Sequence, residues 1–94
     1  MIVRVMGEGQ FTVDVSHADL LNGLDGELER AVEAGDETAF RSALTELLDQ
    51  VRAVGEPLPV DSLEPSDALL PAEDSSIDDV RNLLADTTEG LIPG

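Results

Sequence analysis

The sequence predicts an α+β fold: an N-terminal β-hairpin packed against an antiparallel pair of helices, with a short third helix near the C-terminus. Three observations carry this. Two β-rich runs flank Gly7-Glu8-Gly9, two stretches of helical periodicity meet at Ala34-Gly35-Asp36, and prolines break the chain after Gly55. Ninety-four residues make one domain. With 41 % hydrophobic residues the chain can bury a modest core without metal or disulfide staples. Two Phe and no Trp or Tyr mean that Leu, Val, Ile and Ala must fill it.

In the hairpin, residues 1–15, Ile2, Val3, Val5 and Met6 surround Arg4 in the first run. In the second, Gln10–Val15, the residues Phe11, Val13 and Val15 alternate with polar ones, so one face should be covered and the other wet. Gly7-x-Gly9 after a strand superficially suggests a phosphate loop. The third glycine, the Lys and the helix start are missing, so a tight turn is the better reading.

Residues 16–55 form the helical hairpin. Ser16, with Asp19 three residues on, reads as the start of the first helix in a capping-box arrangement. Its apolar stripe is Leu20, Leu21, Leu24, Leu28, Ala31 and Val32. Gly23 and Gly26 lie inside it, each costing about 1 kcal/mol against Ala, so this is the weaker helix. The break at Gly35 is too short for anything but an antiparallel return.

The second helix has the clearest pattern in the chain. Ala39, Phe40, Ala43, Leu44, Leu47, Leu48, Val51 and Val54 share one stripe, Asp36 is the N-cap, and Glu37 and Arg52 complement the helix dipole. Gly55 is expected to close it in the left-handed conformation. Glu37 and Arg41 are spaced for an i,i+4 pair.

Residues 56–74 are extended, Pro-punctuated chain. Within them Ala68-Leu69-Leu70 can add a third, edge strand to the hairpin or plug the core. Residues 75–94 hold the short helix and the tail, with Ser75 or Ser76 as cap, Ile77, Val80, Leu83 and Leu84 on one side, and Asp78 and Asp79 in the first turn.

Charge is the most unusual global property: 21 acidic residues against five arginines and no lysine, for a net −16. The imbalance grows along the chain, reaching ten acids against one Arg in residues 56–94. Such a surface repels phosphate backbones and anionic headgroups, which argues against nucleic-acid binding and against adsorption to an anionic membrane. Solubility or adaptation to a salty cytoplasm accounts for acidity of this kind; a docking face for a basic partner is the sharper alternative. No signal peptide or membrane span is visible, so a cytoplasmic location is expected, with no direct membrane insertion.

No catalytic constellation emerges. There is no Cys or Lys and a single histidine, His17, beside a helix start, where a cap or surface role is the ordinary one. Asp19, Asn22 and Asp25 superficially suggest a calcium loop, but they are spaced by three within a helical period, and the Glu at the twelfth position is absent. No enzyme activity, cofactor or specific metal site is expected.

Four motifs, in order, carry a resemblance. They are Met1-Ile2-Val3-Arg4-Val5-Met6-Gly7-Glu8-Gly9-Gln10-Phe11; Ala31-Val32-Glu33-Ala34-Gly35-Asp36; Pro57-Leu58-Pro59 with Leu63-Glu64-Pro65-Ser66-Asp67-Ala68-Leu69-Leu70-Pro71; and Glu89-Gly90-Leu91-Ile92-Pro93-Gly94. Together they resemble the PspA-associated protein family, PspAA, of actinobacteria and archaea, over essentially the whole chain. The resemblance implies a non-enzymatic accessory of a PspA-type coiled-coil protein in the phage-shock, membrane-stress response, recruited to the inner face of the membrane through that partner. PspA-type proteins offer long helices with basic stretches, which an acidic domain can meet electrostatically. The candidate contact surface is then the acidic C-terminal third, Asp61, Glu64, Asp67, Glu73 and Asp74, with Leu91 and Ile92 as apolar anchors. Exposed apolar positions on the helical hairpin are the other option. Two competing readings are a self-associating structural domain, acting as a homodimer, and a small-ligand or cation-sensing domain.

Overall fold

The first strand is central to the sheet although it comes first in the chain. The computed structural model describes residues 1–59 and 65–85. Four strands, β1 (Ile2–Val5), β2 (Gly9–Thr12), β3 (Glu56–Pro57) and β4 (Ala68–Leu70), form one sheet in the order β3-β2-β1-β4. β2 runs antiparallel to both β1 and β3, whereas β4 lies parallel to β1. Three helices, α1 (Ala18–Ala34), α2 (Glu37–Val54) and α3 (Ile77–Ala85), complete the α+β architecture.

The core follows the two periodicities. Alternate residues of β1, β2 and β4 (Val3 and Val5, Phe11, Ala68 and Leu70), with Val13 just after β2, are buried in one cluster with the helix stripes. β4 therefore fulfils both readings of Ala68-Leu69-Leu70, as an edge strand and as a core plug. Its register is pinned at both ends: Asp67 N–H donates to the Ile2 carbonyl at 2.7 Å, and Met6 N–H donates to the Leu70 carbonyl at 3.0 Å. β3 was not foreseen in the Pro-rich chain. Pro57 is tolerated there because the strand is an edge, and the ladder is extended by Leu58 N–H to the Gln10 carbonyl at 2.9 Å.

α2 runs as the sequence predicts, with the Asp36 carboxylate accepting from Ala39 N–H at 3.1 Å. Within its stripe Ala39 is exposed and Val54 half-buried, and the other six residues are core. Asp36 serves twice, because its own N–H reaches back to the Ala31 carbonyl at 3.1 Å and closes α1. Gly35, at φ 67°, supplies the left-handed residue which that closure requires.

Gly55 departs from expectation. At φ −92° and ψ 154° it is extended, not left-handed. Its lack of a side chain instead admits the sheet: a Cβ there would lie 2.6 Å from the Val51 carbonyl oxygen and 3.0 Å from Phe11 Cβ.

The entry to α1 also differs. Ser16 does not cap α1: the N-cap is His17, with no side-chain cap hydrogen bond, and Asp14 caps the preceding 3-10 turn, Val15–His17, its carboxylate accepting from Ser16 N–H at 2.9 Å. That hydrogen bond, from the Ser16 backbone foremost, holds the Asp14 carboxyl below its ordinary range. The turn ends the β alternation, so Val15 is 73 % exposed. It also rotates the helix so that Leu20 is exposed and Asp25, on the stripe Leu21, Asp25, Leu28 and Val32, is buried. α3 begins with a reciprocal cap: Asp79 N–H donates to Ser76 Oγ, and Ser76 N–H donates to Asp79 Oδ2, both at 3.1 Å. Ile77 and Val80 enter the core, with Leu83 and Leu84 half-buried against it.

Candidate interaction surface

Of the described residues of the predicted acidic surface, Asp67 precedes β4, and Glu73 and Asp74 lie in the segment between β4 and α3. Two arginines of α2 fix its course. The Arg41 guanidinium donates to the carbonyls of Glu73 at 2.6 Å and Ser75 at 2.9 Å, rather than pairing with Glu37 as the spacing suggests, and lies 5.0 Å from the centre of the Phe40 ring. Arg52 grips the β1–β2 turn through two hydrogen bonds to the Glu8 carboxylate, at 2.8 and 2.6 Å. It also reaches Asp49 at 3.0 Å and Glu73 at 3.7 Å. The hydrogen bonds from Arg52 hold the Glu8 carboxyl below its ordinary range, and the same contacts raise the Arg52 pKa further above neutrality. A third arginine, Arg81 of α3, donates to the Val32 carbonyl in the last turn of α1 at 3.1 Å.

Between the β1–β2 turn and this segment run two grooves that share Met6 and Ala72. The first, about 350 Å³, is completed by Gly7, Glu8, Glu73 and Asp74. The second, about 330 Å³, is completed by Ser75, Asp79, Asn82 and Leu83. A broad, open polar surface lies on the outer face of α2, around Arg41, Thr45 and Asp49.

The structure divides the predicted contact residues by role. Asp67 is structural: its carboxylate accepts from Ile2 N–H at 2.8 Å and locks β4 to β1. Glu73 is half committed, through its carbonyl to Arg41 and its carboxylate towards Arg52. Asp74 is exposed, and among the described residues its carboxylate has no hydrogen-bond or ion-pair partner. Asp61, Glu64, Leu91 and Ile92 lie outside the described residues. Hydrophobicity places Met6 in the first strand, but it follows β1 in the turn and is 47 % exposed.

Among the described residues no His or carboxylate cluster is arranged to hold a metal ion, and no helix is long and apolar enough to cross a membrane. Comparisons with curated proteins and with solved structures found no match. The family of PspA-associated proteins matches residues 1–94, the whole chain, and the protein belongs to that family, PspAA.

Proposed function

We propose that this chain is a non-enzymatic accessory of a PspA-type membrane-stress response, acting through protein–protein contacts of its acidic surface in the cytoplasm. The match of the whole chain to the PspA-associated family carries the reading. Its chemistry agrees with the role. A domain of net −16 is repelled by anionic lipid, so a connection to the membrane runs through a protein that itself meets the bilayer. Basic stretches on a long helical partner supply the complementary charge. Asp74, with Asp61, Glu64, Leu91 and Ile92 beyond the described residues, makes up the proposed contact set, whereas Asp67 and Glu73 position it.

The test is light scattering coupled to size-exclusion chromatography on the protein alone and with its own organism's PspA-type protein, at low and high salt. The expected result is a complex at low salt that dissociates near 1 M salt, where the screening length falls to about 3 Å. Absence of a complex at micromolar concentrations refutes direct binding. A homodimer of the chain alone supports the self-associating reading in its place.

A further inference from the structure

The two neighbouring grooves combine apolar and acidic side chains around the shared residues Met6 and Ala72. Met6, Ala72 and Leu83 supply the apolar contacts, and four carboxylates, Glu8, Glu73, Asp74 and Asp79, line the walls. Among the described residues, the guanidinium that pairs with these carboxylates is that of Arg52, 2.6 Å from Glu8 and 3.7 Å from Glu73, so the four acids keep a net negative charge. Met6 is large, flexible and 47 % exposed, a residue suited to rearranging around a guest side chain. The backbone around the grooves is tied down by hydrogen bonds. The β1–β2 turn is gripped by Arg52, the segment before α3 is held by Arg41, and α3 starts with a reciprocal cap. A preformed floor with an adaptable apolar rim keeps the ordering cost of binding low.

We propose that this Met6 groove is a docking site for a basic amphipathic helix, which seats an apolar side chain against Met6, Ala72 and Leu83 and sets Lys or Arg beside Asp74 and Asp79. This deepens the accessory-protein reading and rests on it for the identity of the natural partner, but not for the chemistry of the site. Volumes of about 350 and 330 Å³ sit at the low end of ligand pockets, which span about 300–1,000 Å³, and fit one or two side chains rather than a folded domain. The carboxylate walls exclude phosphate-bearing guests by repulsion. The polar region on α2 has no apolar side chain in its lining: Glu37, Thr38, Arg41, Ser42, Thr45, Glu46 and Asp49 form it.

The probe is a synthetic amphipathic helix of Lys and Leu, titrated into the isotopically labelled full chain and followed by amide and Met-methyl NMR shifts, at low and at moderate salt. Saturable shifts centred on Met6, Ala72, Ser75 and Leu83 are expected. Shifts spread over the acidic faces of α1 and α2 refute a groove. Two variants sharpen the result: Met6→Glu and Asp74→Lys should each weaken peptide binding about tenfold, the scale of an interface anchor. Glu27→Lys, exposed on α1, should change it less than about threefold, as expected of a charge outside the contact. Retained peptide affinity in Met6→Glu overturns the proposal, provided that its unchanged amide spectrum away from residue 6 shows the fold intact.

The same variants are then measured against the PspA-type protein. Peptide binding in the groove without binding of that protein leaves the site and removes the partner. Binding of that protein at full strength by Met6→Glu leaves the partner and removes the site.

Discussion

Replacing Gly55 with alanine isolates a steric demand that the helix pattern conceals. The added Cβ would sit 2.6 Å from the Val51 carbonyl oxygen, 3.0 Å from Phe11 Cβ and 3.3 Å from Val13 Cγ2. None of these can readily recede. The Val51 carbonyl accepts the Gly55 N–H at 2.8 Å, and Phe11 and Val13 belong to the core. The backbone itself accepts alanine at φ −92° and ψ 154°, and a less flexible unfolded chain would favour the variant by about 0.4–1 kcal/mol. Overpacking opposes this by about 1–3 kcal/mol, so a net loss of about 1–2 kcal/mol is expected. For a domain of this size each kcal/mol moves Tm by about 4–8 °C.

Thermal and urea unfolding followed by circular dichroism read the effect. Gly23→Ala is the matched control. Gly23 is exposed within α1 with no heavy atom within 4 Å of a built Cβ, so the same substitution there should stabilise by about 0.5–1 kcal/mol. A Gly55→Ala variant as stable as the wild type would refute the close-approach argument. A Gly23→Ala variant that unfolds earlier would refute the helix-propensity half.

Three further outcomes follow from the charged contacts. Glu8→Gln should cost about 0.5–1 kcal/mol at neutral pH, because the Glu8 side chain is about one-third exposed and solvent screens the pair. The folded state lowers the Glu8 pKa, so that stability is present above the unfolded carboxylate range, about 4.3, and lost as pH falls through the lower folded value; the gap between the two proteins in urea midpoints should close on acidification. Asp36→Ala removes the N-cap of α2 and should cost about 1 kcal/mol in the same assay, with Asp36→Asn close to neutral. Asp67→Ala removes the carboxylate that holds Ile2 N–H and should lose about 0.5–1.5 kcal/mol, with faster amide exchange at Met6, whose N–H bonds to β4. Unchanged exchange there would show that the backbone ladder alone fixes β4.

The elements legible in the sequence are those whose determinants lie within a few residues of one another. α2 was readable because stripe, cap and dipole charges are all local. Gly55 was readable as a helix end but not for its reason, since Phe11 and Val13, the residues that crowd it, are distant in sequence. Val15 and Leu20 were placed inward by extending a period through the Asp14-capped turn, which resets it. The burial of Asp25 is visible in the spacing Leu21, Asp25, Leu28 and Val32, had the stripe been drawn without regard to polarity.

The acidic surface was legible as charge, and its internal organisation was not. Arg41 looks like a partner for Glu37 at i,i+4, but carbonyls of a distant segment compete for the same guanidinium. Met6 looks like strand because hydrophobicity cannot register that the ladder stops at Val5. Asp67 was expected to face a partner, yet the parallel pairing of β4 with β1 turns its carboxylate to the Ile2 amide.

The parallel alignment of β4 with β1 also sets an order of assembly. The β1–β2 turn and the α1–α2 junction close over few residues, whereas bringing Ala68 beside Val3 closes a loop spanning most of the chain. Such a long-range pairing is expected to form late and open early, because closure entropy must be met before the contact stabilises anything. The Met6 groove straddles that seam, with Met6, Gly7 and Glu8 from one side and Ala72 to Leu83 from the other. A guest lodged there would therefore act as a rivet across the last-formed boundary, slowing the opening of β4 and α3 together as one cooperative unit.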